Sequence, residues 1–143
     1  MRYVILVATD GSQMAKKAEM AAIRIAKSYN VSIAAMYVAV TKKDSEREEL
    51  VAKGERVLKE VVDVGEQMGV DIHKVLMGVS MRTMSKKGAR ANAVAMAILD
   101  AAEKYDVHTI VVGSKGESEI NPELGSVALE VVKKARCTVL VAR

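Results

Sequence analysis

The sequence predicts an α/β fold built on a single doubly wound, five-stranded parallel sheet. Apolar runs alternate along the chain with longer stretches whose apolar residues recur every three or four positions, so strands and helices alternate. The strand runs are apolar throughout, which is typical of parallel strands covered by helices on both faces. Because crossover connections between parallel strands are right-handed, few strand orders are possible, and we expect the order 3-2-1-4-5.

The five strands are predicted as short runs rich in β-branched and other apolar residues. They span residues 3–8, 31–40, 71–79, 109–112 and 137–142. The first run ends at Thr9-Asp10-Gly11, and the third includes the polar residues His73 and Lys74.

Helices are predicted in the four connections. The first begins after Ser12, which is a plausible N-cap, and is closed by Asn30. The second opens in a charged stretch and ends at Gly69, and the third spans residues 91–105. Residues 80–90 are interpreted as an exposed loop or an irregular helix start. The apolar face of the first helix is predicted to comprise Ala15, Ala18, Ala22, Ile25, Ala26 and Tyr29.

Composition excludes several classes of protein. The 143 residues suit one domain, 1–143, and no apolar run approaches the roughly 18 residues of a membrane span. A net charge of +4 is small for a nucleic-acid binder, and four tyrosines without Trp or Phe offer no base-stacking platform. The single cysteine cannot form an internal disulfide, and the first apolar run is too short for a signal peptide. We therefore expect a cytoplasmic protein.

A possible anion site follows the fourth strand. Gly113, Gly116 and Gly125 lie between this strand and an amphipathic helix, and Ser126 follows the last glycine. Backbone N–H groups and the dipole at such a helix start favour an anion, and glycine lets a phosphate approach closely. In the order 3-2-1-4-5 the ligand crevice lies at the carboxyl ends of the first and fourth strands. Asp10 and Gly113 mark those ends, so the sequence predicts a nucleotide site there.

Four segments carry a family resemblance: ILVATDGS at 5–12, MYV at 36–38, IVVGSKG at 110–116 and LGSVALEVVKKARCTVLVAR at 124–143. With the strand and helix order between them, they resemble the universal stress protein family over essentially the full chain. The resemblance implies an adenine nucleotide alpha hydrolase-like fold, with ATP or AMP as ligand, in a stress-response or signalling role. The glycines and Ser126 match the family's phosphate motif, except that eight residues instead of nine separate the second and third glycines.

The resemblance also assigns roles to the positions that match the family's site. Residues at the ends of the first and second strands correspond to contacts with the base and ribose. The loop after the fourth strand corresponds to contacts with the ribose and α-phosphate, and the following helix start to contacts with the phosphates. In that order they are Ala8, Thr9, Asp10 and Val38; Gly113, Ser114, Lys115 and Gly116; and Gly125, Ser126 and Val127.

The loop between the second and third glycines has features of its own. Glu117, Glu119 and Glu123 would repel a triphosphate unless Mg²⁺ intervenes, so AMP is expected no less than ATP. Asn121 followed by Pro122 is a good helix start. A helix beginning there would use some of the N–H groups of the predicted phosphate site.

Structural interpretations compete with some of these roles. Asp10 could simply hold the first turn. His73 and His108 have no second ligand at a suitable spacing, so no metal site is indicated. The basic residues of the stretch 80–90 are expected to form a solvated face far from the crevice: Arg82, Lys86, Lys87 and Arg90.

The alternative function is a nucleotide-free dimeric adaptor that acts through protein contacts. No nucleophile–base pair or paired carboxylates define an enzyme, so slow ATP hydrolysis is the most that we expect. The last strand, Cys137 to Ala142, is short and apolar and lies at a sheet edge in the expected order. The resemblance implies dimerisation through this strand, which predicts a two-fold homodimer.

Overall fold

The computed structural model describes residues 3–81, 88–115 and 124–143. Within these ranges the strands are β1 (Ile5–Ala8), β2 (Ile33–Thr41), β3 (Ile72–Ser80), β4 (Thr109–Gly113) and β5 (Thr138–Ala142). They form a sheet in the order β3-β2-β1-β4-β5, with every neighbouring pair parallel. The predicted fold class and strand order are confirmed.

The helices in the same ranges are α1 (Gln13–Tyr29), α2 (Arg47–Met68), α3 (Ala89–Lys104) and α4 (Ser126–Lys134). Ser12 caps α1 as predicted, because its Oγ accepts the Ala15 N–H across 3.2 Å. The caps Asn30 and Gly69 have left-handed conformations, with φ of 54° and 76°, and they end α1 and α2 at the predicted residues.

The helices cover both faces of the sheet, α1 and α2 on one side and α3 and α4 on the other. Successive side chains of a strand point to opposite faces, so both sets must be apolar. This explains why the strand runs are continuously hydrophobic. Toward α1 and α2 point Ile5, Val7, Ile33, Ala35 and Val111; toward α3 and α4 point Leu6, Ala34, Met36, Ile110 and Val112.

Two details of the helices are settled by the structure. The predicted burial of Tyr29 is wrong, since its exposed fraction is 76%, whereas Ile23 is buried. Residues 27–30 are all exposed, so the buried stripe of α1 ends at Ala26, before Tyr29. The second detail is the start of α4. Gly125 is its N-cap and Leu124 is not helical, so α4 begins at Ser126. Asn121, the other helix start considered in the sequence, lies outside the described residues. None of the helices in the described ranges is long and apolar enough to cross a membrane.

Candidate functional site

A cavity of about 690 Å³ opens at the carboxyl ends of β1 and β4, beside the middle of β2. The chain reverses its direction of travel across the sheet here, with β2 on one side of β1 and β4 on the other. The ligand crevice of a doubly wound sheet forms at such a point. Small-molecule sites occupy roughly 300–1,000 Å³, so this volume suits one.

Of the ten predicted site residues that the structure describes, nine line this cavity, although their contact with a ligand stays a prediction. The residues that line it are Ala8, Thr9, Asp10, Val38, Gly113, Lys115, Gly125, Ser126 and Val127. Ser114 does not: it is buried, and its backbone N–H donates to the Ala142 carbonyl of β5 across 2.8 Å. Gly116 lies outside the described residues, as do the three glutamates of its loop.

The turn between β1 and α1 is held by side chains that also form the cavity wall. The Gly11 N–H donates to Thr9 Oγ1 across 3.1 Å, and the Ser12 N–H donates to Asp10 Oδ1 across 2.9 Å. Such contacts to a backbone N–H two residues on are typical of side chains that stabilise turns. Asp10 therefore holds the turn and faces the cavity, so its two interpretations are compatible.

Glu19 of α1 lies against this turn. Its exposed fraction is only 9%, and the Thr9 hydroxyl donates to its Oε2. Burial is the main cause that raises the pKa of the Glu19 carboxyl above its ordinary value; the hydrogen bond from Thr9 and the charge of Lys16 oppose that rise, while the charges of Glu60 and Asp10 add to it. The sequence interpretation missed Glu19.

Contacts within the protein itself require two glycines of the predicted motif. A Cβ added at Gly113 would lie 3.0 Å from the Met14 carbonyl of α1, and one added at Gly125 would lie 2.9 Å from the Lys115 Cα. The Gly125 N–H donates to the Ser114 carbonyl across 2.6 Å. That donor is therefore used by the protein, and the N–H groups that an anion could meet begin with the residues of α4 that follow.

The side of the cavity formed by β2 is apolar. Met36 and Val38 of β2, Leu50 of α2, and Val94 and Ile98 of α3 line it. The first strand ends at Ala8, opposite Met36, whereas β2 continues to Thr41 and rises past it. A flat apolar group such as a nucleotide base suits this wall.

Charged side chains of both helical layers also reach the cavity. Besides Asp10 and Lys115, its described lining includes Lys53 of α2 and Arg90 of α3. The expectation that Arg90 lies far from the crevice is wrong, because α3 begins at Ala89 beside the cavity. Lys53 was missed, although it follows the lining residue Leu50 by three positions, which places the two side chains on one face of α2.

Other candidate residues have local roles. Among the described residues, no group of three or more His, Cys, Asp or Glu could hold a metal ion. The His73 ring stacks on Tyr3 at 5.1 Å, and His108 Nδ1 lies 2.9 Å from Thr109 Oγ1. Cys137 is half-buried, and burial raises the pKa of its thiol. An undissociated thiol of this kind is a weak nucleophile.

Comparison with known proteins identifies the family. The model of the universal stress protein family matches residues 1–143. The chain belongs to this family. A universal stress protein of Methanocaldococcus jannaschii is 33% identical in an alignment that covers 97% of this chain and 81% of that protein. The resemblance found in the sequence is confirmed.

Solved structures of universal stress proteins share the fold. One from Archaeoglobus fulgidus, in complex with dAMP, has a TM-score of 0.71 and 23% identity, with 100% of both chains covered. Another universal stress protein, in complex with cAMP, has a TM-score of 0.70 and 22% identity, covering 100% of this chain and 99% of that one. At these identities the likeness establishes the fold.

Proposed function

We propose that this universal stress protein binds an adenine nucleotide, AMP or ATP, between the ends of β1 and β4 in a stress-response or signalling role. One observation carries the proposal: a single cavity of about 690 Å³ is bounded by an apolar wall, a carboxylate, a helix start and basic side chains. The apolar wall suits a base, and the carboxylate suits the hydroxyl groups of a ribose. The helix start and the basic side chains suit a phosphate.

The proposed ligand lies across the sheet ends, with its base on the β2 side. Val38, Leu50 and Val94 offer apolar surface to the base, and the Val38 backbone lies beside them for polar contacts. Asp10 at the end of β1 is the candidate partner for the ribose hydroxyls. The phosphate then points to Lys115 and the first turn of α4, whose dipole favours an anion.

Charge supports a nucleotide as the ligand over a neutral nucleoside. Among the residues that the structure describes, three basic side chains, Lys53, Arg90 and Lys115, face the cavity with one acidic side chain, Asp10. The described residues contain no cluster able to hold a metal ion alone, so Mg²⁺ would be held mainly by ATP phosphates and water. The related structures contain dAMP and cAMP, each with one phosphate, which supports AMP as the first ligand to test.

The test is to identify any nucleotide that the purified protein carries, and then to titrate AMP and ATP by calorimetry with and without Mg²⁺. Saturable binding of either nucleotide, with adenosine clearly weaker, is the expected result. A protein that carries no nucleotide and binds neither would overturn the proposal. Phosphate release measured in the same samples tests slow ATP hydrolysis.

We also propose a two-fold homodimer formed through β5, in a cytoplasmic protein. β5 lies at one edge of the sheet, and the adjacent face of α4 exposes Leu129 and Val132, with exposed fractions of 39% and 44%. An apolar strand edge favours pairing with another chain, and a second copy supplies the same edge. This surface is also what favours the second candidate function, a dimeric adaptor without nucleotide. The calorimetric titration distinguishes the two candidates. A nucleotide-binding protein binds AMP or ATP, whereas a nucleotide-free adaptor binds neither.

A further inference from the structure

A buried acidic side chain is connected to the cavity through one hydroxyl group. Thr9 lines the cavity; its Oγ1 donates to Glu19 Oε2 and accepts the Gly11 N–H across 3.1 Å. Because a hydroxyl has a single proton, the bond to Glu19 fixes the direction in which that proton points. The lone pairs of Thr9 Oγ1 then face Gly11. Glu19 is thereby connected to the Gly11 N–H through one intervening hydroxyl.

We propose that Glu19 is a positioning residue of the nucleotide site: acting through Thr9, it holds the Asp10–Gly11 turn in the conformation that receives the ligand. The inference rests on the proposed nucleotide function. It assigns Glu19 no contact with the ligand, since Glu19 does not line the cavity.

The surroundings of Glu19 argue against a role in packing alone. It lies in the buried stripe of α1, between Ala18 and Ala22, which are both fully buried. Asp10 and Glu60 place further negative charge near it, and Lys16 places positive charge near it. A carboxyl group is a costly choice for a buried position, and an apolar side chain would fill it without that cost. The hydrogen bond to Thr9 is the contact that an apolar residue cannot make.

Two substitutions separate the hydrogen bond from the volume of the side chain. Glu19→Gln keeps an oxygen that can accept from Thr9, whereas Glu19→Leu keeps the approximate volume and removes the acceptor. Glu19→Met also removes the acceptor and is the second variant if the leucine variant folds poorly. Thr9→Val removes the hydroxyl and with it both bonds, so it gives the rate expected once Gly11 has lost its acceptor. Glu103→Gln, on the exposed surface of α3, is the control for the loss of one acidic side chain.

The first measurement is amide hydrogen exchange of Gly11 in the full chain without ligand. Loss of a hydrogen bond of about 1.4 kcal/mol corresponds to a tenfold change, so Glu19→Leu should speed Gly11 exchange about tenfold relative to amides inside α1. Glu19→Gln and Glu103→Gln should stay within about threefold of the unmodified chain. An unchanged Gly11 rate in a folded Glu19→Leu or Glu19→Met protein overturns the proposal, as does a Glu19→Gln rate as fast as that of Glu19→Leu.

The second measurement is AMP affinity in the same variants. We expect an approximately tenfold weakening in Glu19→Leu that Glu19→Gln does not show. Normal AMP binding in a folded Glu19→Leu protein overturns the positioning role and leaves the proposed function standing. Absence of AMP binding in the unmodified chain overturns the proposed function and the site role together, while Gly11 exchange still reports separately on the Glu19–Thr9 contact.

Discussion

The Gly125 N–H donates to the Ser114 carbonyl across 2.6 Å, and the Ser114 N–H donates to the Ala142 carbonyl across 2.8 Å. These two bonds join the end of β4, the start of α4 and the end of β5. The phosphate side of the proposed site and the strand of the proposed dimer interface therefore belong to one hydrogen-bonded unit. A ligand that orders the start of α4 acts on residues bonded directly to the last strand.

Substitution of Gly125 should disrupt the phosphate side of the site. A Cβ there would lie 2.9 Å from the Lys115 Cα, so Gly125→Val must push the Lys115 backbone away and break the bond to Ser114. Overpacking of this kind costs about 1–3 kcal/mol, and we expect AMP to bind at least about tenfold more weakly, with the circular dichroism of the fold retained. Gly78→Ala is the control, because a Cβ at Gly78 meets no atom within 4 Å. Unchanged AMP affinity in Gly125→Val would remove this glycine from the site.

The stability of the protein should respond to pH through Glu19. The folded-state pKa of this carboxyl is raised above its ordinary value of 4.5. At a pH between the ordinary pKa and the raised pKa, the folded protein therefore keeps a proton that the unfolded chain has lost. The free energy of unfolding therefore decreases as pH rises through that window, by about 1.4 kcal/mol for each unit of pKa difference, and the loss persists above it.

Glu19→Gln carries no titrating proton at this position and should not show that decrease. Urea unfolding between pH 4 and pH 8 measures it: the stability of the glutamine variant relative to the unmodified chain should increase with pH. Glu103→Gln should give a difference that changes little with pH, because its side chain is exposed. A Glu19→Gln difference that is the same at every pH would contradict this prediction.

Removal of the basic side chains that α2 and α3 bring to the cavity should weaken binding according to ligand charge. Lys53 and Arg90 face the cavity but are partly or fully exposed, so each contributes about 0.2–1 kcal/mol. We expect Lys53→Gln combined with Arg90→Gln to weaken AMP binding by roughly twofold to thirtyfold, with adenosine binding unaffected. Lys104→Gln, at the opposite end of α3, serves as the control. Equal losses for AMP and adenosine would show that these residues act through packing and not charge.

A charge placed on β5 should weaken the proposed dimer. Val141 is half-buried on β5, where it pairs with Val112 of β4, and a lysine there would bring charge to the strand edge. We expect Val141→Lys to shift the mass measured by light scattering toward the monomer. Leu76→Lys makes the matched change on β3, at the opposite edge, and should leave the mass unchanged. A Val141→Lys protein that stays dimeric would move the interface elsewhere.

The sheet and the centre of the site could be predicted because they depend on few rules. Continuous apolar runs indicate buried parallel strands, and right-handed crossovers restrict their order. That order brings the ends of β1 and β4 together, so Asp10 and Gly113 could be placed at one crevice before any coordinates.

The periphery of the site was harder to predict, for physical reasons. Helical periodicity indicates which side of α2 faces the sheet, but not how far the helix extends past the strand ends, so Lys53 was missed. The stretch before Arg90 has no clear helical periodicity, so the sequence did not indicate that α3 begins at Ala89 and includes Arg90. Glu19 did leave a signal: it falls four residues after Ala15 and three before Ala22, on the buried stripe. The sequence analysis explained Gly113 by the close approach of a phosphate. The structure shows that the close approach of the Met14 backbone already requires a glycine there.

The unequal lengths of β1 and β2 have a consequence for how such a protein can diversify. Since β1 stops opposite Met36 and β2 runs on to Thr41, the sheet has a step, and the proposed base would rest against regular secondary structure. The phosphate side of the proposed site is lined by Lys115 and Gly125, and the sequence between them is one residue shorter than the family pattern. Insertions or deletions in that connection can change which phosphate groups the proposed site accepts. The part of the site proposed for the base would stay the same. Selection for new phosphate groups and selection for the base can thus proceed independently.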